Sequence, residues 1–594
     1  MGSKYPYQAL NSKNGEIRIL YLSSSPDPES EIECRLVHYH LEENPQFMAI
    51  SYVWGEAETM RSILLDGVRV EIRQNLFQIL QTDRYSETST AETRFWVDAL
   101  CINQDDDLEK GSQVALMESI YSQAEVVLAY LGGPSDDSEL VFDLLQQYAS
   151  LGGSDSAKEA FKAFLSSSDA ENYWAALTAF LARPYWSRLW IMQEVILSSR
   201  VSLLCGNNIG SWRILAQLLY YLDFRYSASM SDIGRKLLSE SPLNPRALAR
   251  AYIGRESGKK WKTSDWLYLS RQRKASDPRD HIFGILGVVE NCDLLADYTK
   301  SRAEVFGDVV EHVIREERNL DILSACGTYS NGSGMSDAAF KARTEIRLLR
   351  YAYAAQGRNP PPVPDDIKEA LEIAEISPSW STDWSVASAS GERGSLVSGF
   401  RETCYFRAAG DSIPDVQFFK EEGRMLIRGI FVDTIVDIPS SESKPPYLDF
   451  HEWGMCSRHD AVRQRYRDEA TLQQAFKSVF VLGRNTEGAK QEFTNDTTLP
   501  DNLLRLPHEG ETHISQSDWL DALYSLSSRQ FFVTSSGFIG RAPLGSRIGD
   551  SIVVFSGGRV PFVIRKCQDV DSFTVDRYVL IGEVCKCLMP APQI

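Results

Sequence analysis

The sequence predicts an α/β protein: a parallel sheet flanked by helices, then a mostly helical stretch, then a β-rich module. Two patterns carry this reading. Over about residues 47–215, short apolar runs with strand character alternate with segments whose apolar residues recur at three- and four-residue spacing. From about residue 391 onward, β-branched runs punctuated by glycine turns take over. Apolar residues at 43% and charged residues at 24% are the composition of a chain that folds around packed cores rather than one that stays disordered.

Each element has its own local signal. Residues 1–46 read as an N-terminal β segment packing on the second stretch, with strand-like runs at 17–21 and 32–36 separated by the turn cluster 23–28. In that second stretch, 47–215, residues 47–54 form a strand stopped at Gly55, and 63–70 read as a hairpin closed at Asp66-Gly67. Residues 95–98 form a short buried strand. Val114, Met117, Ile120, Tyr121 and Ala124 share one helix face. The acidic run 105–107 suits the start of that helix, where the dipole favours negative charge. The run 126–131 is continuously apolar, as expected of a central parallel strand, and a further helix carries Trp186, Trp190, Val195 and Leu197. Residues 216–390 read as mostly helical, with a loop at 328–336 and a proline-rich break at 359–364. Residues 391–594 form the β-rich C-terminal module, with strands expected at 425–430, 551–555 and 560–564.

Charge and motif content exclude several functions. With 62 basic against 81 acidic residues the net charge is −19, which argues against gripping nucleic acid or an anionic membrane. No run reaches the about 18–20 apolar residues of a membrane span. The first ten residues are polar, so a cytoplasmic location is expected. The ten cysteines are scattered without a C-x-x-C pair, the usage of a reducing compartment, and no zinc site is expected. The 254–260 segment is one residue short of a phosphate loop, and His508 and His513 have the wrong spacing for a helical zinc protease. His38 and His40 lack an evident third ligand, and no G-x-S-x-G elbow is present.

Three segments stand out: AISYVWG at 49–55, FWVDALCINQ at 95–104 and RLWIMQEV at 188–195. Together they resemble the heterokaryon incompatibility (HET) domain of filamentous fungi. The middle segment continues through Gln113, Met117, Ile120, Tyr121, Ala124, Leu131 and Gly132 in the family's manner. The likeness extends to Asn75-Leu76, to SDPRD at 276–280 with FGILG at 283–287, to Asp297-Tyr298, to PSWSTDW at 378–384, and to segments 529–534, 549–550 and 561–565. HET domains are in turn similar to TIR domains. That resemblance implies a doubly wound parallel sheet and rests on Ser51-Tyr52, Asp98 and the Trp190–Glu194 segment.

In NAD-cleaving TIR domains the corresponding Glu is catalytic, so the resemblance assigns that role to Glu194. Breaking the nicotinamide–ribose bond builds positive charge on the sugar, which a carboxylate stabilises. Ser51, Tyr52, Trp54, Gly55, Asp98, Asn103, Gln104, Arg188 and Trp190 are the candidate ligand-binding residues. Trp54 suits ring stacking, Asn103 and Gln104 amide hydrogen bonds, and Arg188 a phosphate. Each has a plainer reading: Glu194 and Arg188 as salt-bridge halves, Trp54 and Trp190 as core, Asp98 as a turn cap, and Cys101 as an inert buried thiol.

The resemblance implies a protein of non-self recognition and programmed cell death. NAD is expected as a substrate and no cofactor as tightly bound. Partners are expected to be copies of itself, through the HET domain, or an incompatibility protein. The alternatives are a non-enzymatic, self-associating signalling module, and a HET protein repurposed in a secondary-metabolite pathway.

Overall fold

The computed structural model describes residues 5–325 apart from 12–14, 26, 28–29, 56–58, 85–91, 153–154, 226–242, 272 and 291. Beyond that it describes 378–385 (not 383), 408–439 (not 421–422), 456–475 in part, 529–567 (not 544) and 577–586. The loop expected at 328–336, the proline-rich break at 359–364 and the His508–His513 segment lie outside the described residues. The chain forms two compact units, Met1–Ser301 and Arg302–Ile594.

In the first unit the strands are β1 (Glu16–Leu22), β2 (Glu33–His40), β3 (Met48–Tyr52), β4 (Met60–Leu65), β5 (Val68–Arg73), β6 (Thr93–Trp96), β7 (Val127–Tyr130), β8 (Val201–Cys205) and β9 (Asn208–Ser211). The helices are α1 (Gln74–Arg84), α2 (Asp98–Cys101), α3 (Asp107–Gln123), α4 (Ser138–Ser150), α5 (Asp155–Leu165), α6 (Glu171–Leu181), α7 (Ile191–Ile196) and α8 (Trp212–Arg225). Helices Leu243–Glu256 and Thr263–Ser270 and the turn Asp280–Phe283 complete the unit.

All nine strands join one sheet in the order β5-β4-β2-β1-β6-β3-β7-β8-β9. The expected central parallel strand is there: β7 pairs in parallel with both β3 and β8. Within the block β6-β3-β7-β8, the strand that comes first in the chain lies between the second and the third. Such a reversal of strand order marks where open α/β sheets place their ligands.

A doubly wound parallel sheet with one hairpin was the expectation, and the sheet is more mixed than that. β1 pairs antiparallel with β2 and β6, and the hairpins β4–β5 and β8–β9 are antiparallel. Connection length decides this for the two hairpins, because a two-residue turn can only return the chain antiparallel. The predicted hairpin turn is present, with Asp66 and Gly67 both at positive φ (49° and 75°) as a type I′ turn requires.

Local chemistry fixes the helix starts. The Asp106 side chain accepts from the Leu108 and Glu109 N–H groups and caps α3, as its acidic run suggests. The helix expected to carry Trp186 through Leu197 is instead two pieces. A 3₁₀ turn at Pro184–Ser187 precedes α7, and Arg188 between them is extended. A bridge to a distant segment imposes the break: Leu189 N–H donates to Lys274 O (2.9 Å) and Lys274 N–H to Ser187 O (2.7 Å).

β3 leaves the sheet at Gly55, whose φ is +82° and where an added Cβ would lie 3.0 Å from the Asn75 amide nitrogen. Asn75 Nδ2 in turn donates to Val53 O (2.8 Å). Gly55→Ala is therefore expected to destabilise the first unit by at least about 1 kcal/mol. Faster hydrogen exchange of the β3 amides is the readout; unchanged exchange contradicts it.

In the second unit, helix Arg302–Glu317 precedes β10 (Val416–Phe419), β11 (Arg424–Ile427), β12 (Gly429–Asp437), β13 (Arg529–Thr534), β14 (Ile539–Pro543), β15 (Ser551–Phe555), β16 (Phe562–Lys566), β17 (Tyr578–Glu583) and β18 (Cys585–Lys586). β10 and β11 form a hairpin, and the strand expected across 425–430 is divided between β11 and β12. The other seven strands make an antiparallel sheet in the order β17-β16-β15-β12-β13-β14-β18. β17 and β18 are consecutive, so one chain segment covers both edges of the sheet, on β16 at one end and β14 at the other. Ile435, Phe532, Ala542, Ile552, Val563, Ile581 and Val584 pack within it. Asp550, after Gly549, accepts from Arg565 Nε (2.7 Å) and the Arg547 N–H (2.7 Å), a structural corner. Among the described residues no helix is long and apolar enough to cross a membrane.

Candidate functional site

β3 is buried along most of its length, and the hydroxyl of Ser51 finds polar partners on other elements. Ser51 Oγ donates to a Glu194 carboxylate oxygen on α7, and the Tyr185 hydroxyl lies 2.7 Å from Ser51 Oγ. Arg188 closes on the same carboxylate from the extended link before α7, with Nη1 on Oε2 (3.0 Å) and Nη2 on Oε1 (3.2 Å). Glu194 is 2% exposed. A planar guanidinium matched to both oxygens gives the carboxylate one orientation.

Beside this pair lies a second carboxylate. Asp98 follows β6 and heads α2, and its Oδ1 accepts from the Ala99 N–H (2.8 Å). Trp54, just beyond β3, donates its indole N–H to Asp98 Oδ2 (3.1 Å). Both residues are partly exposed. Arg73 lies over the Trp54 ring at 5.2 Å and donates to Gly55 O (2.8 Å).

The two carboxylates share a field. Burial pushes the Asp98 carboxyl up to about 6; Arg188 pulls it down and Glu194 pushes it further up. Burial works to lower the Arg188 pKa, and Glu194 with Asp98 more than offsets it, so Arg188 stays charged. Burial raises the Tyr52, Tyr121 and Tyr185 phenols, keeping them neutral donors. The Cys101 thiol is pushed by burial up to about 12, which makes it inert. Among the described residues no three His, Cys, Asp or Glu side chains gather as a metal site.

The profile of the family described as Heterokaryon incompatibility protein (HET) matches residues 47–194, the stretch from β3 to Glu194. The chain carries a HET domain. The profile of the Het-6 beta-barrel domain matches residues 501–591, which include β13 to β18. The chain is also 23% identical to Heterokaryon incompatibility protein 6, OR allele, of Neurospora crassa, across 98% of this chain and 94% of the relative. No solved structure matches.

The HET domain brings Ser51, Trp54, Asp98, Arg188 and Glu194 into one cluster, with Gly55 at its rim and Tyr52 within its field. It does not bring in the rest. Asn103 Oδ1 accepts from the Asp105 N–H (3.3 Å) in its own turn, and Gln104 Nε2 donates back to Asp98 O (2.9 Å). Trp190 opens α7, and its indole lies against the buried Asp280 carboxyl. Burial pushes Asp280 up to about 6, against the donation of the Tyr298 hydroxyl (2.7 Å).

Sequence reasoning missed Tyr185 and Arg273. Arg273, lowered by burial to about 9, donates to Trp186 O (3.0 Å) and Arg188 O (3.3 Å) and holds the extended link in place. It also missed the buried Arg18, which donates to Cys101 O (2.9 Å) and Glu109 Oε1 (2.6 Å) and anchors the loop after α2. The one signal for it was an arginine inside an otherwise apolar strand.

Proposed function

We propose that this HET-domain protein acts in fungal non-self recognition leading to programmed cell death, with copies of itself or an incompatibility protein as partner. Its HET domain contributes by hydrolysing the nicotinamide–ribose bond of NAD. One observation supports the enzymatic half. Asp98 from one stretch of chain and the Arg188–Glu194 pair from another meet at the C-terminal ends of β3 and β6, with Trp54 at the rim.

When the bond breaks, its electron pair moves to the pyridine nitrogen, giving neutral nicotinamide and a cationic ribosyl C1′. Water adds at C1′ and gives up a proton, so the products are nicotinamide, ADP-ribose and a proton. Glu194, held in one orientation by Arg188 and Ser51, supplies fixed negative charge beside the developing cation. Trp54 is the platform for a planar ring. The likeness to NAD-cleaving TIR domains points the same way.

Purified full-length chain is expected to release nicotinamide from NAD, and Glu194→Gln to lower kcat by about a hundredfold. Equal turnover by both proteins removes Glu194 from the mechanism. No release by the wild type, even when self-associated, contradicts the enzymatic reading.

A second reading has its own support. Glu194 is almost fully covered and ion-paired, as a carboxylate that only braces the fold would be. On that reading the domain signals by assembly alone, and assembly without nicotinamide release is the result that selects it.

A further inference from the structure

The two carboxylates of the site are not equivalent. A carboxylate has about four acceptor positions. Three are filled on Glu194, two by Arg188 and one by Ser51, and its charge is matched by the guanidinium. Asp98 has two filled, one on each oxygen: the Ala99 N–H on Oδ1 and the Trp54 indole on Oδ2. Among the described residues no other group donates to Asp98 and no cation forms an ion pair with it. It is also the more exposed of the two.

One open acceptor position therefore remains on each Asp98 oxygen. Such a pair of acceptors suits two adjacent donors, as the vicinal hydroxyls of a ribose are. We infer that Asp98 is the ligand-binding carboxylate of this site and accepts the two hydroxyls of a ribosyl cis-diol, with Trp54 holding it in orientation and the Glu194–Arg188 pair beside it. The choice of a ribosyl group over other paired donors rests on the reading under Proposed function; the choice of Asp98 over Glu194 does not.

The groups facing Asp98 are Arg188, Glu194, Trp54, Ala99, Tyr52, Tyr121 and Cys101. The ionised form is the double acceptor. Since the carboxyl titrates at about 6, binding should be constant above that pH and weaken below it as the proton takes one acceptor position.

Two measurements on the full chain test this. The first is calorimetric titration with carba-NAD, which keeps both diols and cannot be hydrolysed. Asp98→Asn is expected to bind at least tenfold more weakly than wild type, and wild-type affinity to fall below pH 6. Equal affinity of Asp98→Asn and wild type overturns the assignment. The second needs no variant. Carbodiimide coupling of wild type to glycine ethyl ester, read by peptide mass spectrometry, is expected to label Asp98 at least tenfold faster than Glu194, and carba-NAD to slow it. Labelling of Glu194 as fast as Asp98 overturns the assignment. If wild type does not bind carba-NAD, the nucleotide reading falls, and the labelling rates still decide which carboxylate faces ligand.

Discussion

Arg188→Ala is expected to destabilise the first unit by about 3–5 kcal/mol. The partner it abandons, Glu194, is 2% exposed and retains only the Ser51 hydroxyl among its present donors. A buried carboxylate stripped of its cation must either remain charged in a poor dielectric or take up a proton. Adding Glu194→Gln to Arg188→Ala is expected to recover part of the loss, because a neutral amide needs no counter-charge. Hydrogen exchange of the β3 and α7 amides against urea reads the unit directly. A loss below about 1 kcal/mol would class the pair with solvent-screened surface bridges and contradict the description of the site.

The second large effect is expected in the β-rich unit. Arg529 on β13 and Glu583 on β17 are 1% and 0% exposed. Arg529 Nη1 donates to Glu583 O (2.8 Å), and Nη2 to the carboxylate. The pair sits where the β17–β18 segment turns from one edge of the sheet to the other. Arg529→Ala leaves a buried carboxylate behind and is expected to cost about 3–5 kcal/mol, whereas Arg529→Met with Glu583→Leu is expected to be near neutral. Exchange protection of β13 to β17 in each variant is the check. A double substitution as damaging as the single one would show that the ion pair, rather than burial of matched groups, holds the segment.

Much of the first unit was legible because its central strands are largely apolar and buried. β7 lies in an unbroken apolar run, β3 in one broken only by Ser51, β6 ends in the buried pair Phe95-Trp96, Asp66-Gly67 leaves a turn signature, and Asp106 leaves a helix cap. The joining of β1 to β6 was not legible, because register between distant strands has no local signal. The break before α7 was hidden for the same reason, being imposed by Lys274 from far along the chain. Within the site, Ser51, Trp54, Asp98, Arg188 and Glu194 were found through their motif context. Asn103 and Gln104 belong to the same motif, yet their amides are engaged by the turn they sit in. Sequence could not separate an amide that braces a loop from one that faces a ligand. Tyr185 gave no sign, since a buried hydroxyl acquires meaning only from the group it meets.

The central claim is that residues 48–55, the start of α2 at 98–99 and residues 188–194 form one ligand site. Hydrogen exchange of the full chain with and without carba-NAD tests it most directly. The account predicts slowed exchange in all three segments together, diminished in Asp98→Asn. Protection confined to one segment, or falling elsewhere in the chain, would contradict it.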